Sequence, residues 1–335
     1  MATLPALRRF AYAALLVALA HLVFGAIVRI SGSGMGCGDH WPLCYGRLFP
    51  PMDRPDLVVE WTHRLLASIL VVTVASFAVV AWVRRSEPRV GGPGGVLRAA
   101  LLAVVAVVAA ALLGAVTVKL GNPPYATVAH WVLAMTLFAT LGAAAIRAGA
   151  LGGAAAATEH ASLRVMRAAN AAAVLAFLAV SLGGLTAKLP SAAIACRSFP
   201  LCGADPAAGA SAVHVQLTHR LLAFLLLLHL IGVVRGFWRR RDESRTVARA
   251  ATIALGLVVL QFIVAASMVL LTLPAVLRSL HEAVGVSVWL GAFTYAYLAR
   301  VAAGRAGATR ATSLGDVPSY RLVGGEMAVD RVIAR

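Results

Sequence analysis

The sequence predicts an all-α integral membrane protein, with eight transmembrane helices forming two parallel-repeat four-helix bundles. Three observations carry this. Of the 335 residues, 61% are hydrophobic and only 13% charged, with a mean hydropathy of +0.86, too apolar for a soluble domain that must cover itself with polar groups. Apolar runs such as Val71–Val83 lack the strict alternation of a barrel strand, which leaves helices as the spanning element. Finally, Glu60-Trp61-Thr62-His63-Arg64-Leu65-Leu66-Ala67 returns as Gln216-Leu217-Thr218-His219-Arg220-Leu221-Leu222-Ala223. That repeat lies at an offset of 156 residues, and upstream of it an offset of 159 carries Gly25 onto Gly184, Arg29 onto Lys188 and Cys37 onto Cys196, so the chain is read as an internal duplication.

Taken in order, the spans fall at about 9–30, 60–83, 97–118, 125–147, 164–187, 214–236, 247–272 and 279–301. The first follows Arg8-Arg9 in the manner of a signal peptide, but Phe10–Ile30 is long enough to span and recurs in the second half, so it is read as retained. Prolines cluster between spans, as in Asn122-Pro123-Pro124, unlike the broken mid-membrane helices of many transporters. The Gly/Ala-rich stretch Ala148–Ala157 separates a first half, 1–150, from a second, 151–305, and residues 306–335 read as a polar tail with little fixed structure. Four spans per half give both halves one orientation.

An even number of spans places both termini on one side, which also carries most of the 30 Lys and Arg residues. By the positive-inside rule that side is the cytoplasm, and the expected location is a bacterial cell (inner) membrane. The net charge of +17 is thereby assigned to loops and not to a nucleic-acid surface.

His63, His130, His219 and His281 each lie in the first turns of an even-numbered span, at one depth near the outer boundary. His63 can face His130 across one bundle and His219 can face His281 across the other. Two axial nitrogens from opposite sides suit the iron of a planar heme, whereas a structural zinc wants four ligands. His21, His40, His160, His214 and His229 lack such matched positions and read as structural or incidental. Glu60 stands three residues before His63, on the same helix face, while the second copy has Gln216, which cannot trade a proton. The first half is therefore expected to do chemistry and the second to transfer electrons or stay structural.

The outer ends carry basic residues, of which Arg29, Arg64, Lys188 and Arg220 recur in the repeat and can pair with anionic groups such as heme propionates. Snorkelling to lipid headgroups is the plainer alternative. Arg64 and Arg220 directly follow their histidines and so point about 100° off the ligand face. Cys37, Cys44, Cys196 and Cys202 allow three connectivities; the repeat favours Cys37–Cys44 and Cys196–Cys202, as loop staples or, for the first pair, as a redox element.

From about Arg9 to Arg300 the chain resembles the heme A synthase family. The carriers are Val28-Arg29 with Ser31-Gly32-Ser33-Gly34, Trp41-Pro42-Leu43 within the Cys37 to Cys44 loop, Glu60 with His63-Arg64, His130-Trp131, the Cys196 and Cys202 pair, Thr218-His219-Arg220, and His281-Glu282. The resemblance implies oxidation of a methyl group of heme O to a formyl group by successive hydroxylations. It further implies heme O as substrate between His63 and His130 with Glu60 assisting, heme b as cofactor between His219 and His281, a neighbouring heme O synthase and an unidentified electron donor. A homo-oligomer stays open. Two other readings use the same histidines: a diheme b-type cytochrome that passes electrons from quinol without oxidising a substrate, and a parallel-repeat transporter.

Overall fold

A computed structural model describes residues 3–38, 40, 43–240, 242–315, 320–323 and 326–329, with side chains from Leu4 through Gly304. The helices are α1 (Thr3–Ile30), α2 (Pro55–Val83), the one-turn α3 (Pro88–Gly91), α4 (Val96–Lys119), α5 (Pro124–Arg147), the one-turn α6 (Gly153–Ala156), α7 (Leu163–Lys188), α8 (Ala210–Arg239), α9 (Arg245–Leu270) and α10 (Ala275–Gly315). Eight of them are long and apolar enough to cross a membrane. They begin earlier than hydropathy alone indicates. Pro55 supplies the fixed φ and missing N–H that suit a first helical turn, so α2 starts before the apolar run does.

Short elements are described within the stretch read from sequence as a tail. α10 continues to Gly315, and Tyr320–Val323 pairs antiparallel with Glu326–Val329. Alanine and arginine recur between 302 and 312 and favour the helix, while Tyr320, Leu322 and Val323 suit a paired strand.

Within the first half α1 packs on α2 and α5, and α4 on the same two, closing a ring of four. In the second half α7 packs on α8 and α10, and α9 on the same two. Alanines line the contacts, among them Ala11, Ala14 and Ala18 of α1, Ala99 and Ala103 of α4, and Ala169, Ala172 and Ala176 of α7. Small residues let backbones approach closely where lipid provides no hydrophobic drive between helices.

α1 and α5 form the seam with α7 and α10. Two indoles cross it in opposite directions: Trp131 of α5 donates to the Val180 carbonyl of α7 at 3.3 Å, and Trp289 of α10 donates to the Met135 carbonyl of α5 at 2.9 Å. Gly184 makes room for the first, since a Cβ there would lie 2.7 Å from Trp131 Cδ1. Toward the end of the bundle where α1 and α7 begin, Arg147 Nε donates to Tyr297 Oη at 2.6 Å.

At that same end the linkers between helices cap one another. Ser162 and Ser244 accept from the Val165 and Val247 amides at the starts of α7 and α9. Glu243 in turn accepts from the Ser162 amide and hydroxyl, and Glu159 accepts from Ser244 Oγ and from the Thr246 amide and hydroxyl. Burial alone would raise the Glu159 carboxyl, but the hydrogen bonds from Ser244 and Thr246, aided by the charge of Arg249, outweigh it and hold the group below its ordinary 4.5. A value depressed by folding contributes stability that is full above the unfolded value and is lost as pH falls through the folded one. Thermal midpoints of the solubilised protein are therefore expected to fall as pH drops below the ordinary carboxylate range, and Glu159→Gln to flatten that fall. An identical acid profile in the variant would place the sensitivity elsewhere.

Candidate heme sites

The four span histidines differ in how they are seated. Three rest on glycines of a neighbouring helix, where a Cβ would lie 3.1 Å (Gly25, α1) from His63 Cε1, 3.0 Å (Gly114, α4) from His130 Cε1 and 3.0 Å (Gly183, α7) from His219 Cε1. An alanine at any of the three would press on the ring, which would have to give by a few tenths of an ångström. His281 has no such ledge; Gln261 of α9 lies against it instead, its amide nitrogen 3.1 Å from Nδ1 and donating to the His281 carbonyl at 2.9 Å.

All four imidazoles are half-buried. His219 Nδ1 sits 2.9 Å from the Ala179 carbonyl, whereas the Nδ1 atoms of His63 and His130 are shut from solvent with no hydrogen-bond partner among the described residues. Nε2 is thus the nitrogen left to these two rings for a ligand. Among the described residues no three His, Cys, Asp or Glu side chains come together to hold a metal ion. What the site offers is single imidazoles on glycine ledges in each half, a donor set that fits axial ligation of a heme better than a closed tetrahedral metal centre.

Glu60 is buried, and both of its oxygens are engaged. Oε2 accepts from the Cys37 amide at 2.8 Å and Oε1 from Arg64 at 2.5 Å. The carboxylate therefore ties the loop carrying the Cys37–Cys44 disulfide to α2, one turn from His63. Its counterpart Gln216 is also buried, and its Oε1 has no hydrogen-bond partner among the described residues.

Arg64 and Arg220 hold loops. Arg64 donates to the His40 and Leu43 carbonyls at 2.6 and 3.0 Å, and Arg220 to the Ser198 and Leu201 carbonyls at 2.7 and 3.0 Å. Each loop has an aromatic anchor as well: Trp61 donates to the Leu48 carbonyl beneath the first, and Phe199 of the second packs with Phe224 and Phe262. Cys196 and Cys202 are joined in that second loop. Trp41 and Pro42, part of the motif that carries the family resemblance, lie outside the described residues.

Arg29, at the end of α1, pairs with Glu282 of α10 at 2.6 Å, so the first half reaches the residue that follows His281. Arg278 stands within electrostatic reach of both Arg29 and Glu282, and Lys188 within reach of Arg29, so cations gather at this end of the seam.

Sequence reasoning missed two participants. Glu282 entered only as part of a motif. His21 read as structural or incidental, with no link to His63, and its ring is stacked on that of His63, with centroids 4.2 Å apart and planes 7° from parallel. Its position one helical turn before Gly25 was the available signal.

Comparison with known proteins covers the same ground. The family model COX15-CtaA, described as cytochrome oxidase assembly protein, matches residues 8–293. A heme A synthase of Shouchella clausii is 31% identical over 251 residues, covering 71% of this chain and 78% of that protein. Heme A synthases of Bacillus pumilus and Geobacillus thermodenitrificans are 28% and 27% identical, covering 77% and 91% of this chain and 83% and 95% of their own lengths.

Proposed function

The chain belongs to the COX15-CtaA family of cytochrome oxidase assembly proteins, and on that premise we propose that it makes heme A by oxidising a methyl group of heme O to a formyl group, with its two halves doing different parts of the work. It is a multi-pass membrane oxidoreductase of heme A biosynthesis. The observation that carries the reading is a family match that runs through all four span histidines, in a chain whose halves differ by Glu60 against Gln216. The electron-transfer cytochrome is set aside on the same match.

In this reading residues 1–150 take the substrate, heme O, between His63 and His130, and residues 151–305 take heme b between His219 and His281. When bound, heme b supplies one-electron transfer at the membrane depth of the substrate. His219, its Nδ1 fixed on the Ala179 carbonyl, presents Nε2 in a set orientation. Gln261 limits rotation of His281. Arg29, Lys188 and Arg278 supply cations for propionates at the seam, with Glu282 holding Arg29 in place.

Glu60 and Arg64 keep the disulfide loop closed over the first half and exclude water, and the Glu60 carboxylate holds a proton-accepting position one turn from His63. The basic loops face the cytoplasm of a bacterial cell, a heme O synthase delivers the substrate, and a separate donor supplies electrons.

The test is pigment analysis of the full chain purified from cells that also make heme O, by absorbance and mass. Heme b is expected beside heme O, a hydroxylated intermediate or heme A. His63→Ala should remove the O/A type and spare heme b. Heme b alone, at two per chain, would favour the cytochrome instead.

A further inference from the structure

We propose that His21 is a positioning residue of the first half, its stacked imidazole orienting His63 in place of the backbone hydrogen bond that orients His219. The inference rests on the reading of His63 as an axial ligand of the substrate heme.

The comparison between halves makes the argument. In α7, Ala179 stands one turn before the ledge Gly183, and its carbonyl takes His219 Nδ1 at 2.9 Å. In α1, His21 stands one turn before the ledge Gly25, the same place relative to the ring above it. There His63 Nδ1 finds no hydrogen-bond partner among the described residues. The His21 ring instead covers it at 4.2 Å and 7°, and also lies against the His63 backbone. The offset that aligns the cysteines puts Val180 opposite His21, and the glycine ledge puts Ala179 there; neither can stack. The second half therefore has no copy of this contact.

The two arrangements do different things to a ligand. A carbonyl on the far nitrogen fixes the ring and raises its basicity, which strengthens the bond to iron. A stack fixes the ring plane but leaves the far nitrogen without a partner, so the ligand is aimed without being strengthened. The first suits a heme that stays. The second, present at His63 alone, suits the side of a site from which a substrate must be released.

The experiment uses the full chain, purified from cells making heme O, as wild type, His21→Ala, His21→Phe and His63→Ala, with heme content by extraction and ligation by electron paramagnetic resonance. His21→Ala is expected to lose roughly 2- to 10-fold of the O/A-type heme, the size of one aromatic contact, and to broaden or shift its low-spin signal. Heme b in the same sample stays at the wild-type level, which shows that the variant is folded. His21→Phe, which stacks but cannot hydrogen-bond, restores occupancy and signal.

Wild-type occupancy and signal in His21→Ala would overturn the inference while leaving the heme assignment standing. So would a His21→Phe protein as deficient as His21→Ala, since stacking would then not be the operative contact. Retention of the O/A-type heme in His63→Ala would overturn the assignment beneath it and the inference with it.

Discussion

Glu60→Gln is expected to reduce heme A formation by about 100-fold or more, the range for loss of a positioned proton-transfer group, while leaving heme b content unchanged. The substitution keeps the shape, and glutamine can still accept from the Cys37 amide through its carbonyl oxygen. What it removes is the charge that Arg64 faces, in a pair whose side chains are only 13% and 4% exposed. Breaking a buried pair typically costs about 3–5 kcal/mol. Here Arg64 keeps the His40 and Leu43 carbonyls, which moderates the loss and lets the loop stay seated. Activity should thus fall far more than stability. The check is conversion of heme O to heme A per molecule of bound heme b, alongside the thermal midpoint. A variant that converts heme O at half the wild-type rate would reduce Glu60 to a loop anchor.

Gly183→Val should empty the second half. A Cβ alone would sit 3.0 Å from His219 Cε1, and a β-branched side chain adds two methyl groups to that gap, so the imidazole must leave its seat and its hydrogen bond to Ala179. Disturbing the fixed orientation of a metal-ligating histidine commonly costs 10- to 100-fold in affinity. Heme b in the purified variant is expected to fall by about that factor, and heme A formation with it, while heme O still occupies the first half. Gly184→Ala is the neighbouring control, because it meets Trp131 at the seam and not a histidine. Full heme b content in Gly183→Val would show that the ledge does not position His219.

The parts of the fold that were legible were those written in local pattern. Eight apolar runs of spanning length, the repeated Thr-His-Arg and the paired cysteines are each readable from a short window or from self-comparison. Glu60 stood out because its copy lost the carboxylate.

The partners of these residues were not legible, because they come from far along the chain. Glu282 is 253 positions from Arg29, and the Cys37 amide that takes Glu60 Oε2 is 23 positions away. Basic residues near the far face all looked alike in sequence. Geometry separates them: Arg64 is held by Glu60 and loop carbonyls and Arg220 by loop carbonyls, while Arg29 and Lys188 stand near the seam. His21 was missed for a related reason. A single histidine in an apolar helix has no periodic signature, and its place one turn before Gly25 gains meaning when α1 is laid against α2.

The two crossing indoles bear on how the chain is made. Trp131 emerges from the ribosome well before Val180, its acceptor, which lies 49 residues later on α7. Met135 waits longer still, for a donor 154 residues downstream. The first four spans are therefore complete before either contact across the seam can form. Insertion of α7 completes the first contact, and α10, the last span, completes the second. A nascent chain arrested before α7 should leave its first half laterally unsettled, open to escorting factors and to proteases, until the second copy arrives to receive it.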